Sequence, residues 1–422
     1  MPRAVSHCST NFPMPPSPER VFITGMGMIS PMGSDEPSHL TSLRAGTNHF
    51  REIDFFDVSR QRLGTAGVAD IPETFAGTNL SSRQQNRLDR GARILLHTTK
   101  EALADASLSS VPKNTTFIVG TSAGAMPLGE EFFKAATSSP IRRAGQFQRV
   151  EHYQIQRQVG STLEALGLHA YTQIISNACA SGANAIGHAF HALRSGQSTL
   201  ALAGGYDALC QLVFAGFDSL QALAVSGIPR PFDAHRDGLA LGEGGAMMVL
   251  ETETSMLARR ATPIAEVTGY GISTDLHHLT QPNPEGLAAI RSMSAAARQA
   301  DIPPSQVQYL NSHGTGTPLN DIAEANAITT WAGDDAKNIS VSSTKSAMGH
   351  LLGGAGAIES AICLLALKHG ILPASLNIRE PDPACQFDLV RAPRDAELHT
   401  VLTNSFGFGG SNASLIFQTP TS

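Results

Sequence analysis

The sequence has no excess of positive charge, no cysteines at metal-binding spacing and no apolar run long enough to cross a membrane. Thirty Lys and Arg stand against 36 Asp and Glu, a formal net charge of −6. There is thus no overall basic field to hold nucleic acid or an anionic membrane, and an anionic partner must find a local basic patch. The five cysteines, Cys8, Cys179, Cys210, Cys363 and Cys385, are odd in number, scattered and free of CxxC spacing. That argues against a disulfide framework and against a zinc site, and it fits a reducing compartment. We therefore expect a cytoplasmic protein without a metal. No stretch approaches the ~18 uninterrupted apolar residues that a spanning helix needs, so a soluble chain is expected. Residues 1–19 contain five prolines and no apolar core of signal-peptide length, and they read as a disordered leader.

What is present is length and a faint internal repeat. A chain of 422 residues can bury enough apolar surface to fold unaided as two domains or as one duplicated domain. The segment Val21-Phe-Ile-Thr-Gly-Met-Gly-Met-Ile-Ser30 is echoed by Ala265-Glu-Val-Thr-Gly-Tyr-Gly-Ile-Ser-Thr274, each reading as a strand that runs into a glycine turn. A second echo pairs Ile174–Gly182 with Val341–Gly349: a short apolar strand, small residues, then an Ala-rich helical pattern. The echoes keep their order, which places one half at residues 20–260 and the other at 261–422. Residues 182–194 and 355–369 are nearly apolar all round, as helices buried between layers are. With the short β-branched strands they indicate a layered α/β architecture. Gly25-Met-Gly27 resembles a dinucleotide turn, but Ser30 stands at the third glycine position and no acidic residue follows at the ribose-binding distance, so a nicotinamide cofactor is discounted. Gly409-Gly410 lacks the Lys and Ser/Thr of a phosphate loop.

Cys179 follows the strand predicted at 171–175 and precedes the helical run 183–193, flanked by Ala178, Ala180, Ser181 and Gly182. Small neighbours permit a sharp strand-to-helix turn. A thiol at a helix N-terminus meets the positive end of the macrodipole and free backbone N–H groups, which favour thiolate and can bind a developing oxyanion. The alternative is a buried inert cysteine, the usual fate of the residue and the reading that fits Cys210 and Cys363. Two distant histidines could serve the thiol. His313 lies in Tyr309-Leu-Asn-Ser-His-Gly-Thr-Gly-Thr-Pro318, and His350 in Ser343-Thr-Lys-Ser-Ala-Met-Gly-His-Leu-Leu-Gly-Gly-Ala-Gly. Each taken alone also fits a satisfied structural residue, and the three lack the short ligand spacing of zinc motifs.

Taken together, Asn177-Ala-Cys-Ala-Ser-Gly182, His313-Gly-Thr-Gly-Thr-Pro318, Lys345-Ser-Ala-Met-Gly-His350 and Asn404-Ser-Phe-Gly-Phe-Gly-Gly410 resemble the β-ketoacyl-acyl-carrier-protein synthase family, in its synthase II and polyketide ketosynthase branch. The resemblance runs from Val21 to Phe417; it departs at Ala180, where the family usually has Ser or Thr. It implies a thiolase fold, two similar halves in a duplicated five-layered α-β-α-β-α structure, usually dimeric. It further implies that Cys179 takes an acyl group from a carrier-protein thioester. His313 and His350 then bind a malonyl thioester carbonyl and support decarboxylation, with Lys345 paired to Glu324 to hold the histidines in register. The N–H groups of Cys179 and Phe408 would form an oxyanion hole, with Phe408 as an aromatic gate, and Thr315 and Thr317 would hydrogen-bond the phosphopantetheine arm. Ala123, Met126 and Phe217 would line the acyl pocket, and Arg83, Arg87, Arg142 and Arg143 would meet an acidic acyl carrier protein. No cofactor is implied, because substrates ride on the carrier's phosphopantetheine. The partners implied are the carrier and either a second copy of the chain or a chain-length-factor-like subunit. Two other readings stay open: a cysteine hydrolase or amidase using Cys179 and His313, and a non-catalytic subunit that only shapes a partner's acyl tunnel.

Overall fold

The computed structural model describes residues 19–138 and 153–420. Among the described residues the main sheet has eleven strands, ten of which fall five to each half: β1 (Val21–Ile29), β2 (Thr116–Gly120), β3 (Tyr171–Ile175), β4 (Leu200–Asp207) and β5 (Gly244–Thr252), then β6 (Ala265–Thr274), β7 (Tyr309–Asn311), β8 (Ser340–Ser342), β9 (Thr400–Phe406) and β10 (Ser411–Gln418). Their spatial order is β3-β2-β4-β5-β1-β6-β10-β9-β7-β8, with the short strand Asp388–Leu389 beyond β8. Read outward from the β1–β6 junction, each half runs first, fifth, fourth, second, third. The sense of pairing repeats as well. β2 is parallel to β3 and β4, whereas β5 is antiparallel to both β4 and β1. In the second half β7 is parallel to β8 and β9, and β10 is antiparallel to β9 and β6. Within this sheet, among the described residues, the short register Val21–Ile23 against Ala265–Val267 pairs the halves. The same topology laid down twice is a duplication, and the first echo aligns β1 with β6, the second β3 with β8.

Glycine explains why the first echo survives in sequence. β1 and β6 run straight through their glycine pairs, so the glycine turn read from sequence is not there. A Cβ on Gly25 or Gly27 would lie 2.5 Å from Ala102 O or 2.2 Å from Thr98 O, both on α1 (Arg90–Asp105). One on Gly269 or Gly271 would lie 2.3 Å from Ala296 O or 2.0 Å from Ser292 O, both on the helix Leu287–Gln299. Each pair lets a helix lie directly on its strand.

Five helices complete the layers with α1. They are α2 (Ile155–Leu166), α3 (Ser181–Arg194), α4 (Leu287–Gln299), α5 (Pro318–Ala332) and α6 (Ala355–His369). α1 and α2 cover the outer face of the first half-sheet, α4 and α5 that of the second, and α3 and α6 lie side by side between the two. This is the expected five-layered, duplicated α-β-α-β-α architecture. The two central helices are largely buried because sheets flank both: every residue of α6 from Ala355 to Leu367 is buried. They touch at their first turns, where a Cβ on Gly182 would come within 2.8 Å of Gly353 O and 2.9 Å of Ala357 N. That crossing sets the position of the site. Residues 1–18 of the expected leader lie outside the described residues, while Glu19 accepts a hydrogen bond from Thr254.

Candidate active site

Cys179 sits in the turn between β3 and α3, just before the helix. The preceding residue, Ala178, has φ +56°, the left-handed region that a residue with a Cβ enters at a cost of about 1–2 kcal/mol. Its carbonyl oxygen is held by the hydroxyls of Ser122 at 2.9 Å and Ser181 at 2.6 Å. No side chain caps α3, whose N-cap is Ala180. The thiol is 7% exposed. Burial pushes it up to about 12, against the nearby Lys345 charge and a hydrogen bond from the Phe408 N–H. The helix end, which favours thiolate, works against this burial. The rise from 9.0 corresponds to about 4 kcal/mol, whereas a helix end supplies at most about 2 kcal/mol. Burial therefore favours the protonated thiol over the thiolate.

The two histidines face this thiol from the second half. His313 follows β7 and His350 precedes α6; both are buried, and their rings meet edge to face with centroids 5.3 Å apart. Burial and the Lys345 charge hold both well below the usual histidine range, so both are neutral. Their tautomers follow from their neighbours. The Leu352 N–H donates to His350 Nδ1 at 3.1 Å, and Lys345 Nζ lies 3.5 Å from His313 Nδ1. An ammonium only donates, so in both rings Nδ1 accepts and Nε2 carries the proton. His350 Nε2 has no hydrogen-bond partner among the described residues.

Lys345 does not pair with Glu324. Its ammonium is 1% exposed and contacts Glu359, which comes from the middle of α6. Burial raises Glu359 to about 7 against the attraction of that lysine. Glu324, from α5, instead accepts from the backbone N–H groups of His313 at 2.9 Å and Gly314 at 2.7 Å and from the Asn404 amide. It thus anchors the backbone of the histidine loop while Lys345 and Glu359 orient the ring. The sequence signal for Glu359 was available: it is the one carboxylate in the otherwise apolar run 355–367.

Cys179, His313 and His350 line one cleft of about 330 Å³, together with Phe217, Phe408, Thr315 and Thr317. The rings of Phe217 and Phe408 stack at 5.8 Å beside the thiol, and the Thr315 and Thr317 hydroxyls lie 2.8 Å apart. Ala123 and Met126 are not part of this lining. They pack in an apolar cluster with Leu209, Cys210, Phe214 and Leu352, which Phe217 joins from the cleft side. Arg83 and Arg87 are exposed, and Arg87 borders a shallow surface cleft with Arg157 and Glu164. Arg142 and Arg143 lie outside the described residues. Among the described residues no cluster of His, Cys, Asp or Glu could hold a metal ion, and no helix is long and apolar enough to cross a membrane. Sequence reasoning also missed Asp207, a fully buried carboxylate at the end of β4.

A duplicated five-layered frame, with a buried thiol and two neutral imidazoles lining one cleft, fits an acyltransferase on a thiolase fold. The chain belongs to the β-ketoacyl synthase family: residues 18–255 match the family's N-terminal domain and residues 264–379 its C-terminal domain. It is 35% identical over 410 residues to the 3-oxoacyl-[acyl-carrier-protein] synthase 2 of Synechocystis, covering 95% of this chain and 98% of that one. Among solved structures it resembles a chain of the ishigamide ketosynthase/chain length factor, with TM-score 0.88, 31% identity, and 96% and 100% coverage. It also resembles a chain of the AntDE:AntF complex, described as a type II PKS acyl-carrier protein in complex with its ketosynthase bound to the hexaketide. There the TM-score is 0.85 and the identity 26%, over 96% of this chain and 100% of the other.

Proposed function

We propose that the chain joins an acyl group, carried on Cys179, to a decarboxylating malonyl thioester on an acyl carrier protein, in fatty acid or polyketide elongation. The observation that carries this reading is the pair of Nε2–H donors. Both imidazoles are neutral, both Nδ1 atoms are occupied, and both rings border the cleft that holds the thiol.

In the first half-reaction Cys179 sulfur attacks the carrier-bound thioester carbonyl. The carbon–sulfur bond to the carrier breaks, and the thiol proton passes to the departing pantetheine sulfur, so the exchange is proton-neutral. The N–H groups of Cys179 and Phe408 hold the tetrahedral oxyanion. In the second, the malonyl carbon–carboxylate bond breaks and its electron pair enters an enolate, whose oxygen takes the His313 and His350 Nε2–H bonds. Neutral donors suit this step, since they stabilise charge that appears only in the transition state and intermediate. The enolate carbon then attacks the acyl carbonyl on Cys179, and the sulfur leaves and regains a proton. Thr315 and Thr317 hold the pantetheine arm. Phe408 gates the thiol, and the Ala123 and Met126 cluster receives the acyl chain past Phe217.

Arg83 and Arg87 offer exposed cations to the acidic carrier. Among the described residues β3 ends the first half-sheet with one edge unpaired, and Tyr171 is 74% exposed. That edge is where a second copy, or a chain-length-factor-like subunit, extends the sheet. The reading places the enzyme in the cytoplasm. The test is incubation with radiolabelled acyl-carrier and malonyl-carrier: β-ketoacyl product with equimolar carbon dioxide supports it. Free acid released from acyl-carrier without malonyl would establish a hydrolase instead, and product formation undiminished after alkylation of Cys179 would establish a non-catalytic subunit.

A further inference from the structure

We infer that Asp207 is a positioning residue for the condensation, the single carboxylate that fixes the nucleophile's turn in the first half relative to His350 in the second. Asp207 closes β4 and is 0% exposed. Its Oδ1 accepts from the Thr121 hydroxyl at 2.5 Å and from the N–H groups of Ala123 and Gly124 at 2.9 and 3.1 Å. Its Oδ2 accepts from the Ser122 N–H at 2.8 Å and from the Gly353 N–H at 2.6 Å. Four backbone N–H groups and one hydroxyl converge on this group; burial raises its pKa, and these hydrogen bonds oppose that rise by favouring the carboxylate.

The two ends of this network reach the chemistry without touching substrate. On one side the Ser122 hydroxyl holds the carbonyl of Ala178, the residue in left-handed conformation that presents Cys179. On the other, Gly353 directly follows Leu352, whose N–H fixes the His350 tautomer. The approach at Gly353 leaves no slack: a Cβ there would lie 2.5 Å from Ser122 N and 2.8 Å from Asp207 Oδ2. Sequence positions 122, 178, 207 and 353 are thereby locked to one another across the junction of the halves. Cys179 presents the acyl carbon and His350 holds the oxygen of the enolate that attacks it, both within one cleft, so a shift of either turn misaligns attack, which is where small displacements are costly.

The test separates positioning from folding and from substrate binding; it rests on the condensing reaction above, and wild-type enzyme that forms no β-ketoacyl product would refute that reading rather than this one. In Asp207→Asn an amide replaces one acceptor oxygen, and kcat for condensation should fall about tenfold or more with KM within about twofold, because no substrate contact is lost. Acyl transfer to Cys179 and carbon dioxide release from malonyl-carrier should both slow. The pH profile of Cys179 alkylation by iodoacetamide should move to lower pH, since a neighbouring negative charge has gone; in Asp207→Glu the profile should stay in place. Ser122→Ala cuts only the link to Ala178, so acyl transfer should slow about fivefold, the worth of one ordinary hydrogen bond, with carbon dioxide release unchanged. Unchanged kcat in Asp207→Asn overturns the assignment, as does a rise in KM at constant kcat. If Asp207→Asn does not fold, Ser122→Ala decides alone: unaltered acyl transfer, or equal loss in both half-reactions, overturns it.

Discussion

Alkylation of Cys179 by iodoacetamide, followed against pH, tests the electrostatics of the site without any substrate. Burial places the thiol at about 12, so at pH 8 about one molecule in ten thousand is thiolate, against roughly a quarter for an exposed cysteine near 8.5. Each thiolate of the more basic sulfur is some 30 to 60 times more nucleophilic, on a Brønsted slope of about 0.4–0.5. The two effects leave Cys179 reacting about 40 to 80 times more slowly than an exposed cysteine at pH 8. Its rate should climb tenfold per pH unit through pH 9 with no plateau. The helix end, at about 2 kcal/mol or less, lowers the midpoint by about one and a half units and leaves this shape intact. Labelled peptide quantified by mass spectrometry over pH 6–9.5 provides the measurement, with Cys179→Ala as the blank. A plateau at or below pH 8 would mean that the helix N-terminus, Lys345 and the Phe408 N–H outweigh burial, and the resting thiol, with the proton-neutral exchange derived from it, would have to be abandoned.

Four further outcomes are expected. Cys179→Ala should abolish condensation, measured by radiolabel transfer, while carbon dioxide release from malonyl-carrier persists through His313 and His350. Lys345→Ala strands Glu359 in the interior and should cost about 3–5 kcal/mol in denaturant unfolding; the alkylation rate of Cys179 should also fall, because a cation that lowers its pKa has gone. His39 is fully buried and burial lowers it to about 4, so below pH 6.5 the unfolded chain takes up a proton that the folded one refuses. Its contribution to stability is therefore whole above pH 6.5 and is lost as pH falls, by about 3 kcal/mol at pH 4, and His39→Gln should flatten the pH dependence of unfolding by that amount. Charge reversal at Arg83 and Arg87 together should raise KM for carrier-bound substrate several-fold, more at low than at high salt, with kcat unchanged.

The parts of this architecture legible in the sequence are those where backbone meets backbone. Gly25, Gly27, Gly269 and Gly271 stand out because helices α1 and α4 tolerate nothing larger, so the duplication shows through even where most side chains differ. The small residues around Cys179 and His350 are legible for the same reason. What could not be read is decided by how side chains turn once helices pack. The lysine partner is an example: Glu324 and Glu359 are both carboxylates on helices of the second half, and only the rotation of α6 about its axis brings Glu359 to Lys345 while Glu324 faces the backbone of the histidine loop. The thiol's resting state is another, because a helix-end motif announces a favourable field but says nothing of how much solvent is removed.

The duplication also accounts for why residues 179 and 350 belong to one site. In each half the third strand, β3 or β8, leads into a helix buried between the sheets, and in each half the reactive group lies in the linker between them: Cys179 before α3, and Lys345 and His350 before α6. Related positions in two copies converge only if the copies pack with those helix starts in contact. The closeness of Gly182 to Gly353 and of Gly356 to Ala183, where a Cβ would lie 2.8 Å from its neighbour in either case, shows that they do. On the proposed mechanism one linker supplies the nucleophile and the other a donor, so a contact that holds the two copies together would also assemble the chemistry, and the glycines at that contact would serve both.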